Sequence, residues 1–318
     1  MSAAAQLQLS NFARDVATGF SDPAQKYISA RYFYDDLGSV LFDAITLLPE
    51  YGLTRADERL LRLHADEIAS KTASVSLVAE LGSGTGKKTR NVLRAMSKRA
   101  LSLRYSPIDV SAGALAYCEK ELCDVAEIEP VCADWLDGLA EIARSRSRGS
   151  SLLLLFLGSS IGNLDRSCIP DFLGRIRSQL HPGDFFLIGA DLVKDTDTMI
   201  AAYDDPTGVT AAFNLNMLAR VNRELEADFD LRAFAHEVRW NRGTRRIEMH
   251  LLSGRDQTAY IGALETSFHF RAGETIWTES SHKFTLAELD DYARASGFTP
   301  LKAWADHEWP FVEALWKV

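Results

Sequence analysis

The chain has 318 residues, 47% hydrophobic and 25% charged, enough for two domains or one domain carrying a large insertion. Its 35 Lys and Arg against 44 Asp and Glu give a net charge of −9, which argues against a nucleic-acid partner, because phosphate contacts call for a basic surface, and favours a small-molecule substrate. The longest apolar run, residues 152–157, is too short to span a bilayer, and the N-terminus lacks a basic start followed by an apolar stretch, so a cytoplasmic monomer without membrane contact is expected.

In chain order, the first informative stretch is RYFYDDLGSVLFDAITLLPEY, residues 31–51. Its aromatics fall at helical spacing, so Tyr32, Phe33 and Phe42 read as core, whereas Tyr34 and Tyr51 carry hydroxyls that could face a ligand. From residue 75, apolar runs of strand length alternate with helical patterns: SLVAELG, RYSPIDV, a stretch ending VCADW, SLLLLFLGS and DFFLIGADLV. Runs apolar on both faces fit strands covered by helices on each side, which predicts a mainly parallel α/β sheet. Residues 168–180 keep a helical period that His181-Pro182-Gly183 stops.

Residues 194–283 break the alternation. A helical pattern is expected over 196–228, followed by antiparallel strands at FAHEVRWNRG, RRIEMHLLSG and ALETSFHFRAGE. The tail returns to the earlier logic, with a helix capped by Thr285, stopped by Gly297 and followed by two apolar runs that would close the sheet. The expected division is 56–193 plus 284–318 for the α/β domain, and 1–55 plus 194–283 for an inserted, lid-like α+β domain.

Between the first strand and its helix lies ELGSGTGKKTR, residues 80–90. Glycines 82, 84 and 86 let the backbone bend and approach a ligand closely, and Lys88 is placed one turn into the helix. A phosphate loop fails on spacing, since three residues separate Gly82 from Gly86 where four are needed, and the dinucleotide fingerprint fails because Lys87 stands where its third glycine belongs. In an open α/β sheet the ligand lies beyond the carboxyl ends of the strands. Asp109, ending the second strand, could accept both hydroxyls of a ribose; Asp134, ending the third, could accept an adenine amino group beside the aromatic wall of Trp135. For either carboxylate alone a cap or turn role is the commoner one, and their joint placement at successive strand ends favours the ligand. The fourth strand ends in GSSIGNLDR, where Gly158 permits close approach and Asn163 offers an amide or caps the next helix. In WTESSHKF, residues 277–284, Glu279 and Ser281 would share one face of a strand. Cys118, Cys123, Cys132 and Cys168 show no C-x-x-C spacing and the seven histidines no H-E-x-x-H, so neither a metal site nor a disulfide framework is expected.

The E-x-G-x-G-x-G pattern resembles the first motif of Rossmann-like S-adenosylmethionine-dependent methyltransferases. The blocks FYDDLGSVLFDAITLLPEY, ELGSGTGKKTR, FLGSSIGN, ADLVKDTDTMIAAYDDPTGVTAAFNLNMLARVNRELEADFDL, RIEM and TESSHKF together resemble the histidine N-alpha-methyltransferases of ergothioneine biosynthesis, which trimethylate histidine to hercynine. The resemblance implies cofactor contacts at Gly82, Lys88, Asp109, Asp134 and Trp135, and histidine contacts at Tyr51, Asn163, Tyr203 and the segment Glu279, Ser280, Ser281. Asn163 and Tyr203 would hold the carboxylate, Glu279 and Ser281 the imidazole, and Tyr34 would help to place the amine. The same family includes methyltransferases of a prenylated tryptophan amine, and Glu279 with Ser281 favours the imidazole. Gly52-Leu53 after PEY, and Trp135 where phenylalanine is frequent, depart from the family's pattern beside the pocket. A nicotinamide oxidoreductase and a non-catalytic cofactor sensor are the competing classes.

Overall fold

The computed structural model describes residues 10–99, 102–147 and 149–318, which form two compact units. One unit runs up to Tyr51 and resumes over Asp195–Ser281; the other comprises Gly52–Lys194 and His282–Val318. From the N-terminus, α1 (Asn11–Phe20) and α2 (Asp36–Thr46) belong to the first unit. The second opens with α3 (Gly52–Lys71), β1 (Val75–Leu81), α4 (Arg90–Ser97), β2 (Arg104–Asp109) and α5 (Ala112–Leu122). It continues through β3 (Glu127–Ile128), β4 (Val131–Cys132), α6 (Trp135–Ser145), β5 (Ser151–Phe156), α7 (Ile169–Gln179) and β6 (Phe185–Asp191). The chain then re-enters the first unit with α8 (Thr196–Ala201), α9 (Val209–Leu225), β7 (Phe234–Asn241), β8 (Arg246–Ser253), β9 (Gln257–Ile261), β10 (Thr266–Phe270) and β11 (Thr275–His282). It ends in the second with α10 (Leu286–Ala295), β12 (Thr299–Ala305) and β13 (Phe311–Lys317).

The second unit is built on one sheet of order β12-β13-β6-β5-β1-β2-β3, with β4 also paired to β2. The strands β1, β2, β5 and β6 are mutually parallel, and the last two strands add antiparallel edges. This is the α/β sheet expected from the alternating runs. Every residue of β6 is buried, as is nearly all of β1 and β5, because helices cover both faces. On one face Leu152, Leu154, Phe156 and Ile188 pack with Ile142 of α6 and Phe172, Leu173 and Ile176 of α7. Each such side chain contributes roughly 1.5–3 kcal/mol by leaving water. The chain passes from β1 to β2 on one side and places β5 on the other, so the order reverses between β1 and β5, where open α/β sheets bind ligands. Helix α10 starts with a capping box in which Thr285 and Glu288 satisfy each other's backbone N–H groups.

The first unit is α+β. Its three-stranded sheet has the order β11-β8-β7, with β7 and β8 antiparallel, and β9 with β10 forms a separate antiparallel hairpin. Helix α9 buries Phe213, Met217, Leu218 and Val221. The N-terminal segment is stitched to β11, where Tyr27 and Trp277 form an isolated bridge and Gln25 Nε2 donates to the Thr275 carbonyl at 2.8 Å.

Two sequence expectations need correction here. The helix expected over 196–228 is interrupted after Ala201, because Asp205 accepts the backbone N–H groups of Val209 and Thr210 while Pro206 cannot continue a helix, so α9 starts afresh behind Gly208 at φ +78°. The third expected strand begins later than ALET, since residues 262–264 form a 3-10 turn closed by Glu265 at φ +48°; the strand β9 just before it was not anticipated.

Candidate active site

The strand β1 ends at Leu81 and runs directly into the glycine turn, with Gly82 at φ +67°. An L-residue there would cost about 1–2 kcal/mol in backbone strain, and its Cβ would stand 3.0 Å from Trp135 Nε1. Asp109, at the end of β2, braces this turn: one carboxylate oxygen accepts the Gly84 N–H at 2.9 Å and the other the Ser111 N–H at 2.9 Å. A carboxylate has about four lone-pair positions, so both oxygens keep capacity for further donors. Asp134 is exposed at the N-cap of α6, yet its side chain makes no capping hydrogen bond, which leaves the carboxylate for another donor. It lies two residues beyond the short strand β4 rather than within it. The indole of Trp135 is fixed edge-on against Phe156 and Phe172, with ring centroids 5.0 and 5.9 Å away.

Lys88 is in the turn ahead of α4, not one turn into that helix, because α4 begins only at Arg90 behind Thr89. Its ammonium lies 2.6 Å from Asp57 Oδ2. The same oxygen accepts the Gly158 N–H at 2.9 Å, and a Cβ on Gly158, whose φ is +70°, would stand 3.0 Å from Lys88 Nζ. The ends of β1 and β5 are thus tied through one buried carboxylate. Burial pulls the Lys88 pKa down, but the charge and hydrogen bond of Asp57, with the charge of Glu80 behind them, outweigh it, and the net shift is upward. Glu80 is buried on β1, where its carboxylate accepts Thr89 Oγ1–H at 2.6 Å and the Tyr105 hydroxyl at 2.5 Å. Burial pushes its pKa up to about 7 against those two hydrogen bonds and the Lys88 charge. Asn163 ends the 3-10 turn Ser160–Asn163 and is exposed, its side chain without a hydrogen bond among the described residues; α7 is capped at Cys168, so Asn163 has no capping role.

The remaining candidates sit in the other unit. On β11, Trp277, Glu279 and Ser281 share one face, while Ser280 joins Thr278 on the opposite face, which separates the Ser280 side chain from its two neighbours. The Tyr203 hydroxyl donates to Ser281 Oγ at 2.7 Å, and both residues are buried. The ring of Tyr51 packs edge-on to Tyr203 and Phe42 at 6.0 and 6.2 Å between centroids. Tyr34 is more exposed and lies against Phe42 and Phe213. Behind this cluster, Asn214 offers its amide N–H to His236 Nδ1 at 2.9 Å, so His236 carries its proton on Nε2 and donates it to the Tyr203 carbonyl at 2.8 Å. The Asn214 carbonyl accepts Thr278 Oγ1–H, which links the backbone of Tyr203 to the back of β11.

Sequence reading passed over Asp57, Glu313, Asn214 and His236. Two of these were marked: Asp57 falls on the apolar stripe of α3 with Leu53, Ala56 and Leu60, and Glu313 interrupts the apolar run FVEALW. Such an intrusion signals a partnered or protonated carboxyl.

A family model described as "Histidine-specific methyltransferase, SAM-dependent" matches residues 12–318. The chain belongs to this family. It is 44% identical over 302 residues to histidine N-alpha-methyltransferase of Mycobacterium tuberculosis, covering 94% of this chain and 92% of that protein. The homologue from Mycolicibacterium smegmatis is also 44% identical, over 92% of this chain and 90% of its own length. Ergothioneine biosynthesis protein 1 of Neurospora crassa is 30% identical over 85% of this chain, which corresponds to 31% of that longer protein. Histidine-specific methyltransferases depend on S-adenosylmethionine, and the second unit fits it: Gly82 leaves open the space that a Cβ would fill beside Trp135, and Asp109 and Asp134 offer the acceptors that a ribose diol and an exocyclic amine require. Among the described residues no helix is long and apolar enough to cross a membrane.

Proposed function

We infer that this S-adenosylmethionine-dependent methyltransferase transfers three methyl groups to the α-nitrogen of L-histidine, giving hercynine, a step of ergothioneine biosynthesis, and that it works as a cytoplasmic monomer. The observation that carries the choice of substrate is the buried hydroxyl pair Tyr203–Ser281 beside Glu279 on one face of β11. A neutral imidazole has one donor and one acceptor, which a carboxylate and a hydroxyl match, whereas a large apolar ring offers a partner to neither. Ser281, held by the Tyr203 hydroxyl, is assigned as donor to the imidazole acceptor nitrogen, and Glu279 as acceptor of the ring N–H. Asn163 is assigned to the amino-acid carboxylate, Tyr51 to a wall of the substrate pocket and Tyr34 to the placement of the amine; Tyr203, which the resemblance also gave to the carboxylate, spends its one O–H on Ser281 and acts through that serine. Gly82, Lys88, Asp109, Asp134 and Trp135 are assigned to the cofactor side, and Gly158, whose N–H is tied to Asp57 beside Lys88, to the substrate side where the two meet.

Bound S-adenosylmethionine supplies a methyl group on a sulfonium, an electrophile that needs no acid. The amine lone pair forms the new N–C bond as the C–S bond breaks, and the electron pair stays on sulfur as a neutral thioether. One proton leaves the nitrogen before each transfer. A peptide α-amino group titrates near 8 and that of a free amino acid, beside its carboxylate, somewhat higher, so freeing the lone pair at pH 7 costs more than about 1.4 kcal/mol but far less than orientation can supply, and calls for no strong base. The residues named here therefore act by orientation, which can supply roughly 7–11 kcal/mol when the attacking atom is held near its target.

Incubation with methyl-labelled cofactor and a panel of free amino acids, read by mass spectrometry, tests the assignment. Histidine and its mono- and dimethyl derivatives should all converge on the trimethylated product. Labelling of a prenylated tryptophan amine in preference to histidine would refute it.

A further inference from the structure

Behind the Lys88–Asp57–Gly158 junction lies a carboxyl group that methyl transfer does not use. Glu313 of β13 is fully buried, and neither of its oxygens meets a donor among the described residues. Asp57 Oδ1, on α3, also lacks a donor. Helix α3 packs against β13, and the two carboxyl groups interact across that packing; with no other donor among the described residues for these three oxygens, a hydrogen bond between the groups can form only if one of them holds a proton. The other charged groups facing Glu313 are Lys88 in the turn after β1 and Glu80 on β1, while β6 presents only Gly189, whose Cβ would stand 2.7 Å from Glu313 Oε1. Asp57 is already engaged through its other oxygen by Lys88 and Gly158, so the proton belongs on Glu313.

We propose that Glu313 is a positioning residue that stays protonated and donates to Asp57 Oδ1, locking the Asp57 carboxylate so that its Oδ2 fixes Lys88 and the Gly158 N–H at the rim of the cofactor site. The inference rests on the cofactor lying beside Lys88. Burial, and next the charge of Asp57, push the Glu313 carboxyl well above the ordinary range, with Glu80 adding to the effect and Lys88 opposing it. A neutral Glu313 also avoids burying three carboxylates against one ammonium. Raising the pH until Glu313 ionises would set two anions against each other and release Lys88.

Glu313→Gln keeps shape and donor; Glu313→Leu removes the donor. S-adenosylhomocysteine affinity measured by calorimetry should be retained within about twofold in Glu313→Gln and fall by about tenfold in Glu313→Leu. Loss of affinity in Glu313→Gln equal to that in Glu313→Leu, or full affinity in Glu313→Leu, would overturn the proposal. Infrared spectra of the ligand-free protein give a readout independent of the cofactor, and one that still decides should Glu313→Leu fail to fold. Because Glu80 is itself partly protonated near pH 7, the spectra are compared at pH 9, where it is ionised: a protonated-carboxyl band in the natural protein that is missing in Glu313→Gln is the expected result, and no difference between the two spectra refutes the shared proton. A natural protein that shows the band but does not bind S-adenosylhomocysteine would instead refute the cofactor site.

Discussion

The pair of buried hydroxyls formed by Tyr203 and Ser281 gives the sharpest handle on substrate recognition. Tyr203→Phe removes only the oxygen that donates to Ser281 at 2.7 Å and leaves the ring packing of Tyr51 and Tyr203 in place. A neutral hydrogen bond is worth roughly 0.5–1.5 kcal/mol net, so histidine affinity should fall by about fivefold. Ser281→Ala loses that bond together with the donor to the imidazole, about 2 kcal/mol in all, or roughly 30-fold. The tyrosine acts through the serine. The double variant should therefore be no weaker than Ser281→Ala alone, roughly 30-fold below the natural protein rather than the 150-fold of independent effects, a coupling of about 1 kcal/mol. Calorimetric titration of histidine into the protein saturated with S-adenosylhomocysteine measures all three, and affinity for S-adenosylhomocysteine itself should not change. Additive losses, or a Tyr203→Phe variant with unaltered histidine affinity, would refute the relay from Tyr203 through Ser281 to the substrate.

Asp109→Ala should weaken S-adenosylhomocysteine binding by about 100-fold or more, since it removes the acceptor of the ribose hydroxyls and frees the Gly84 and Ser111 N–H groups; calorimetry showing less than a threefold loss would contradict this placement. For Glu80, whose carboxyl titrates at about 7 in the folded chain, the unfolded state ionises first as pH rises, so its stabilising contribution is complete below about pH 4.5 and is lost as the pH climbs to 7. Glu80→Gln should thus flatten the fall in urea-unfolding stability over that interval by roughly 2–4 kcal/mol, and equal pH profiles for the two proteins would refute the buried-carboxyl assignment.

Much of the second unit was legible because its strands are short apolar runs punctuated by glycine, proline and polar caps, and a strand buried on both faces leaves that mark in any window of residues. The glycine turn, the strand-end position of Asp109 and the capping box at Thr285 followed from local chemistry alone. What failed was also local in origin. The run Asp204-Asp205-Pro206-Thr207-Gly208 carries a helix-breaking signal that the expectation of one helix over 196–228 overlooked, while nothing local showed that Asp205 recruits the N–H groups of Val209 and Thr210 to restart it. Lys88 read as helical because KKTRNVL has helical composition, although the helix starts two residues later. Pairings such as Asp57 with Lys88, 31 positions apart, or Tyr203 with Ser281, 78 apart, depend on tertiary placement and carry no local signature. The same holds for Ser280, which a motif groups with its neighbours and the pleat turns away from them.

The split of the first unit between two stretches of chain bears on how it is made in the cell. Gln25 finds the Thr275 carbonyl 250 positions downstream. At 5–20 residues per second, translation between these two points takes roughly 10 to 50 s, far longer than hydrophobic collapse. During that interval Phe20 lacks its partners Phe229, Phe268 and Phe270, all of which lie beyond the entire run from α3 to β6. The nascent N-terminal segment must therefore wait with its apolar face uncovered while the intervening sheet assembles, which makes it the stretch of this polypeptide most in need of chaperone shelter on the ribosome.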